Sequence, residues 1–190
     1  MTDDLRADAR RNIRRVLEAA ARVLAEDPGA SMQAIADAAE VSRPTVYRHF
    51  ANREELLDAI RLEVMEQAWA ALDVAAASTE PAAAALERLI GDLADIAARY
   101  PLLGRLIASP PEAHKEHGPP ERVVKAFAAL VARGRRDGTL RPDLRGEILG
   151  PATMGALLMS LRAGSFRRAD PREVGAEVAA FVLDGARAAG

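Results

Sequence analysis

The sequence predicts an all-α protein of about nine helices, with a three-helix N-terminal unit followed by a larger helical part. Three observations carry that expectation. Alanine and arginine, both good helix formers, dominate: 42 of 190 residues are Ala, and 24 of the 26 basic residues are Arg. Apolar residues recur at three- and four-residue spacing along most of the chain, while Val and Ile are not gathered into alternating runs. Capping residues stand where those stripes begin. The Ala/Arg bias also matches GC-rich codons and points to a GC-rich bacterial source.

Composition excludes several classes. The chain has no cysteine, so a disulfide framework, a Cys-ligated zinc site and a thiol nucleophile are ruled out. Its formal net charge is −2 (26 basic against 28 acidic residues), so any nucleic-acid contact must come from a local patch. Residues 1–15 are polar and lack the apolar core of a secretory signal. The longest uncharged, mainly apolar run covers 148–161, 14 residues against the roughly 20 of a bilayer span. No membrane association is expected, and the cytoplasm is the expected location.

The first helix carries the stripe Ile13, Val16, Leu17, Ala20, Val23 and Leu24 and stops at Asp27-Pro28-Gly29. Ser31 caps a short second helix bearing Ile35, Ala36 and Ala39. After the turn Glu40-Val41, Ser42 caps a third, with Pro44 in the first turn, where its missing N–H costs little. Asn52 caps a fourth, about 53–77, and Glu55 stands where a capping-box acid belongs. A fifth runs from about Pro81 to Tyr100, with Leu86, Leu89, Ile90, Leu93, Ile96 and Ala97 on one face and Asp92, Asp95 and Arg99 opposite. A short sixth follows Pro101. The seventh carries Val123, Val124, Phe127, Leu130 and Val131 and ends near Gly134. The eighth covers about 145–163 and the ninth about 171–188.

The most informative segment is 31–57, SMQAIADAAEVSRPTVYRHFANREELL. Two short helices flank a tight turn, and Ile35, Val41, Val46 and Phe50 are spaced to pack them on the first helix. This is helix-turn-helix logic, in which the second helix enters the DNA major groove. Its exposed positions, Arg43, Pro44, Thr45, Tyr47, Arg48 and His49, supply a guanidinium for guanine edges, apolar surface for thymine methyls and hydroxyls for phosphate. Residues 1–60 sum to −2 (9 Arg, 11 acids), but 5–15 sum to +4 and 41–53, with Arg43, Arg48 and Arg53, to +3. Both patches are expected on one DNA-facing side, giving binding that weakens steeply with salt.

The run Val-Ser-Arg-Pro-Thr-Val-Tyr-Arg-His-Phe, followed by Arg53 and Glu54-Glu55-Leu56-Leu57, resembles the DNA-binding signature of the tetracycline-repressor (TetR) family; motif and preceding helix cover about 9–60. The resemblance implies base-facing roles for Arg43, Pro44 and Gln33. It implies phosphate contacts for Thr45, Tyr47, His49 and Arg53, the last where the family usually has Lys. Arg48 faces outward toward either a base or a phosphate. Tyr47 and His49 also admit packing roles. One departure stands out: Glu40 occupies a turn position where the family often has Gly. A left-handed backbone there would cost a side chain about 1–2 kcal/mol.

The implied organisation is a DNA-binding domain over 1–55, the fourth helix as connector, and a ligand-binding and dimerisation domain over 56–190. The uncharged eighth helix must be buried on more than one side. With Gly150, Ala152, Gly155 and Ala156 on the eighth helix and Val174, Val178, Phe181, Val182 and Gly185 on the ninth, the two helices are expected to form a homodimer bundle. Candidate lining residues of a mostly apolar pocket are Met65, Trp69, Leu93, Tyr100, Leu103, Phe127, Met154 and Leu158; each also fits a packed core. The loop around His114 and His117 has ligand-type side chains but no His-Glu-x-x-His helix, and reads as a solvated loop. No cofactor and no catalytic residue is expected. The leading expectation is a ligand-responsive regulator of transcription, most simply a repressor released from a palindromic operator by a small effector. Competing readings are a regulator controlled by a protein partner and a metal-dependent enzyme using the His114/His117 loop.

Overall fold

The computed structural model describes residues 2–102, 121–167 and 169–187, with side chains from Asn12 onward except 164–167. The helices are α1 (Thr2–Glu26), α2 (Met32–Ala38), α3 (Arg43–His49), α4 (Arg53–Ala77), α5 (Ala82–Arg99), α6 (Glu121–Asp137), α7 (Gly146–Arg167) and α8 (Pro171–Ala186). No strand occurs among the described residues; Leu140 and Arg187 form one isolated bridge. The sixth expected helix from Leu103 on, and the loop carrying His114 and His117, lie outside the described residues. None of the described helices is long and apolar enough to cross a membrane.

The expected caps form. Ser31 Oγ accepts the Ala34 amide at 3.2 Å, and Ser42 Oγ accepts that of Thr45 at 3.3 Å. Asn52 Oδ1 accepts the Glu55 amide at 2.9 Å, and Glu55 Oε2 reaches back to the Ala51 amide at 2.9 Å. This is a capping box displaced by one residue. α1 turns Val16, Leu17, Ala20 and Leu24 inward, into one core with Ile35, Ala36 and Val46 of the next two helices. α5 is the central helix, with all six of its expected apolar residues buried and packed chiefly between α4 and α8.

Two boundaries differ from expectation, the first for a physical reason. Gly134 does not end α6. A Cβ there would lie 2.4 Å from the Leu140 side chain, so the glycine is kept for close approach inside the helix. Termination falls to Gly138, whose φ of 72° suits a residue without Cβ. α7 runs to Arg167, past the expected end near 163.

Arginines and one aspartate stitch the helix ends. Arg133 donates to the carbonyls of Ala75 at 3.0 Å, Ala76 at 3.1 Å, and Ser78, closing the C-terminus of α4. Pro81 leaves α5 without a side-chain cap. Asp137 supplies one from α6, accepting the Ala82 amide at 2.8 Å and the Thr139 amide at 2.9 Å. Burial alone would raise its pKa, but bonds from Thr139 and Ala82 and the nearby Arg133 charge hold it below the usual carboxylate value.

Candidate nucleic-acid interface

α3 stands on two buried anchors, Val46 and Phe50. Away from those anchors the helix is solvent-exposed, at Arg43, Pro44, Tyr47, Arg48 and His49. Val46 and Phe50 fall four residues apart, so one face is anchored and the other is left for a partner. Arg43 is organised by its neighbour one turn on. Its guanidinium carbon lies 5.2 Å from the Tyr47 ring centroid, and Nη2 is 3.5 Å from the Tyr47 hydroxyl. The ring thus holds the cation extended along the exposed face. Thr45 is half-buried, its hydroxyl 2.8 Å from Ser42 Oγ. His49 tilts over Phe50 with ring centroids 6.2 Å apart.

Gln33 is exposed on α2 and donates to Asp37 Oδ1 at 2.7 Å. To read a base it must release that bond or share it. Glu40 has φ 56°, so the turn between α2 and α3 is left-handed and a glutamate bears it. Its carboxylate lies 3.7 Å from Arg15. Arg53, expected outside, points elsewhere: its guanidinium donates to the Ala30 carbonyl at 2.8 Å and to the Pro28 carbonyl in the α1–α2 turn.

A polar chain leads from α1 into the larger part. Arg14 Nε donates to Glu63 Oε1 at 2.7 Å, and Gln67 Nε2 donates to the same oxygen at 2.6 Å and to the Tyr100 hydroxyl at 3.1 Å. Arg99 Nη2 donates to Gln67 Oε1 at 2.9 Å. Burial of Tyr100, next to the negative charges of Glu63 and Glu18, pushes its pKa up to about 12, so the phenol stays protonated. Arg14 is therefore turned toward α4. Glu63 and Gln67 are one helical turn apart, but nothing in the sequence pairs them with Arg14 or Tyr100.

Of the residues expected to line a pocket, Leu93, Tyr100 and Phe127 are buried and Trp69, Met154 and Leu158 half-buried. Phe127 packs its ring on Gly150, where a Cβ would come within 2.9 Å. Met65 is 41 % exposed on α4. The Arg122 guanidinium stacks over Trp69 at 5.5 Å and pairs with Asp73. Of the residues expected on a dimer face, Val178 is buried in the core and Phe181 is 74 % exposed; Ile148 and Met159, on the uncharged helix α7, are 55 % and 59 % exposed. Among the described residues no group of three or more metal-ligating side chains comes together.

An anchored recognition helix on an all-helical scaffold defines the class: a helix-turn-helix protein with a larger helical part behind it. Residues 16–60 match the family described as bacterial regulatory proteins, tetR family. That match covers the first helices, including the helix-turn-helix, and leaves the larger helical part outside it. It is 38 % identical over 93 residues to the HTH-type transcriptional repressor LfrR of Mycolicibacterium smegmatis, covering 48 % of this chain and 49 % of LfrR. The match thus spans about half the length of that relative. Among solved structures, a TetR transcriptional regulator from Streptomyces coelicolor superposes with a TM-score of 0.59 at 25 % identity, over 93 % of this chain and 98 % of that one. The TetR-like regulator LfrR from Mycobacterium smegmatis in complex with proflavine gives 0.58 at 24 % identity, over 93 % and 97 %. These relatives are regulators of transcription.

Proposed function

We propose that this protein is a cytoplasmic transcriptional repressor that binds a palindromic operator as a homodimer and leaves it when a small, mostly apolar effector binds. Residues 1–55 serve DNA; 56–190 serve dimerisation and the effector. The observation that carries this reading is the exposed face of α3, mounted on Val46 and Phe50 with Arg43 held out along Tyr47. Arg43, Pro44 and Gln33 address base edges, Thr45, Tyr47 and His49 address phosphates, and Arg48 takes one or the other. Two recognition helices related by a dimer axis read two half-sites.

The exposed apolar residues Ile148 and Met159 of α7 and Phe181 of α8 support the dimer. On the same two helices, a Cβ at Gly155 or Gly185 would meet open space in the single chain. A relative solved with proflavine supports an apolar or aromatic effector, and Trp69 offers an aromatic face. The test is selection of bound DNA from a random pool, followed by a screen for compounds that release it. A palindrome should be enriched, and Arg43→Ala should cost about 1–3 kcal/mol of specific affinity. Enrichment of no sequence would sink the reading.

A further inference from the structure

We infer that Arg53 is a positioning residue of the DNA-reading unit, clasping the turn between α1 and α2 so that α3 is presented at a fixed angle, rather than a phosphate contact. This rests on the DNA-binding reading above. Arg53 is the first residue of α4, one capping box after the end of α3. Its two terminal nitrogens reach back 23 and 25 residues, to the carbonyls of Ala30 and Pro28. Those carbonyls belong to the segment between the end of α1 and Ser31, the N-cap of α2. One side chain therefore ties the exit of α3 to the start of α2.

The site is built for a guanidinium. Two carbonyls of one tight turn, two residues apart, match the fixed fork of Arg. An ammonium donates from a single nitrogen and holds two such separated carbonyls poorly. The turn is itself ordered for the purpose: Asp27 Oδ1 accepts the Gly29 amide at 2.8 Å, and the Asp27 carbonyl accepts that of Ala30 at 3.1 Å. Its own N–H groups are thus satisfied, and its carbonyls point to Arg53. Arg53 is half-buried, whereas Arg43 and Arg48 are exposed. The rest of the α3–α4 corner is held by the Asn52–Glu55 cap, which is local and does not reach α1 or α2.

Arg53→Lys and Arg53→Gln separate the alternatives, using the full-length protein, the operator enriched from the random pool and an unrelated duplex. The clasp predicts that Arg53→Lys, although it keeps the charge, loses operator affinity about tenfold, with the specific-to-nonspecific ratio falling alongside. It predicts the slope of log K against log salt unchanged in both variants, because no counterion-releasing contact is lost. If Arg53→Lys binds like the wild type while Arg53→Gln lowers the slope by about one, Arg53 is a phosphate contact and the inference is overturned. If either variant only melts earlier and, well below its melting temperature, keeps the wild-type specificity ratio, the role is stability alone and the inference again fails. Hydrogen exchange on the wild-type complex needs no variant. The Gly29 and Ala30 amides should keep their protection on operator binding; deprotection means that the clasp opens to release Arg53, which overturns the inference. A wild type without sequence preference would defeat the DNA-binding reading instead, a result distinct from all of these.

Discussion

Replacing Glu40 by Gly should stabilise the protein. Glu40 sits at φ 56°, where an L side chain costs about 1–2 kcal/mol. Glycine removes that cost but gives back about 0.4–1 kcal/mol through the larger freedom of its unfolded chain. The substitution also deletes the 3.7 Å pair with Arg15, whose side chains are 61 % and 83 % exposed. Such pairs contribute about 0–1 kcal/mol and weaken with salt. The net expectation is a gain of about 0.5–1 kcal/mol at moderate salt. For a chain of this size that is about 1–4 °C in melting temperature. Circular dichroism melts of Glu40→Gly, Glu40→Gln and Glu40→Ala isolate the backbone component. Gln and Ala remove the charge but keep the Cβ, so both should stay strained and melt at or slightly below the wild type. If Glu40→Gly melts no higher than Glu40→Ala, relief of the left-handed turn is not worth what the dihedral implies, and the reasoning fails.

Three further outcomes follow from the helix-end contacts and the open face. Arg133→Ala should lower the stability measured by urea titration by about 2–3 kcal/mol, since a charged donor to three carbonyls is lost at the end of α4; a change under 0.5 kcal/mol would dismiss the cap. Asp137 has a folded pKa below its unfolded value near 3.9, so its contribution is present above about pH 4 and is lost as pH falls through the folded pKa. The urea midpoint should therefore drop on acidification, and Asp137→Asn should flatten that part of the profile. Phe181→Glu, at a residue 74 % exposed in the single chain, should leave helix content unchanged and shift the protein to monomer in light scattering; a dimer that persists would move the interface elsewhere.

Much of the fold is legible because helices announce themselves locally. Ser31, Ser42 and Asn52 cap where their positions before apolar stripes indicate, and α4 keeps its expected bounds of 53–77. The faces of α1 and α5 follow the three-and-four spacing because burial selects side chains directly. Gly134 is misleading for the same reason. Read along the chain it is a stop signal, but what requires it is Leu140 packing from beyond the turn. The left-handed turn at Glu40 escapes because a glutamate gives no sign of positive φ; only the departure from the family pattern hints at it. The Arg14–Glu63–Gln67–Tyr100 chain escapes entirely, since its members come from three helices and their types are ordinary on exposed surfaces.

Charge shows most plainly where counting along the chain stops being physics. The +3 of segment 41–53 includes Arg53, whose guanidinium is committed to carbonyls, so the outward-facing part of that patch is Arg43 and Arg48. Arg14 and Arg15 of the leading patch likewise meet Glu63 and Glu40. Arg133, Arg135 and Arg141 also donate to main-chain carbonyls. That repeated use gives the ratio of 24 Arg to 2 Lys a structural meaning beside codon bias: a planar fork can close a helix end or tie two turns, which an ammonium does poorly. The consequence for DNA binding is quantitative. If the arginines engaged internally do not touch phosphate, the salt dependence of operator binding will be shallower than the basic residues of 5–15 and 41–53 would suggest. Each guanidinium withheld from the backbone removes about 0.9 from the slope of log K against log salt. A slope matching the full count of those arginines would mean that the internal pairs break on binding, and would return Arg53, Arg14 and Arg15 to the interface.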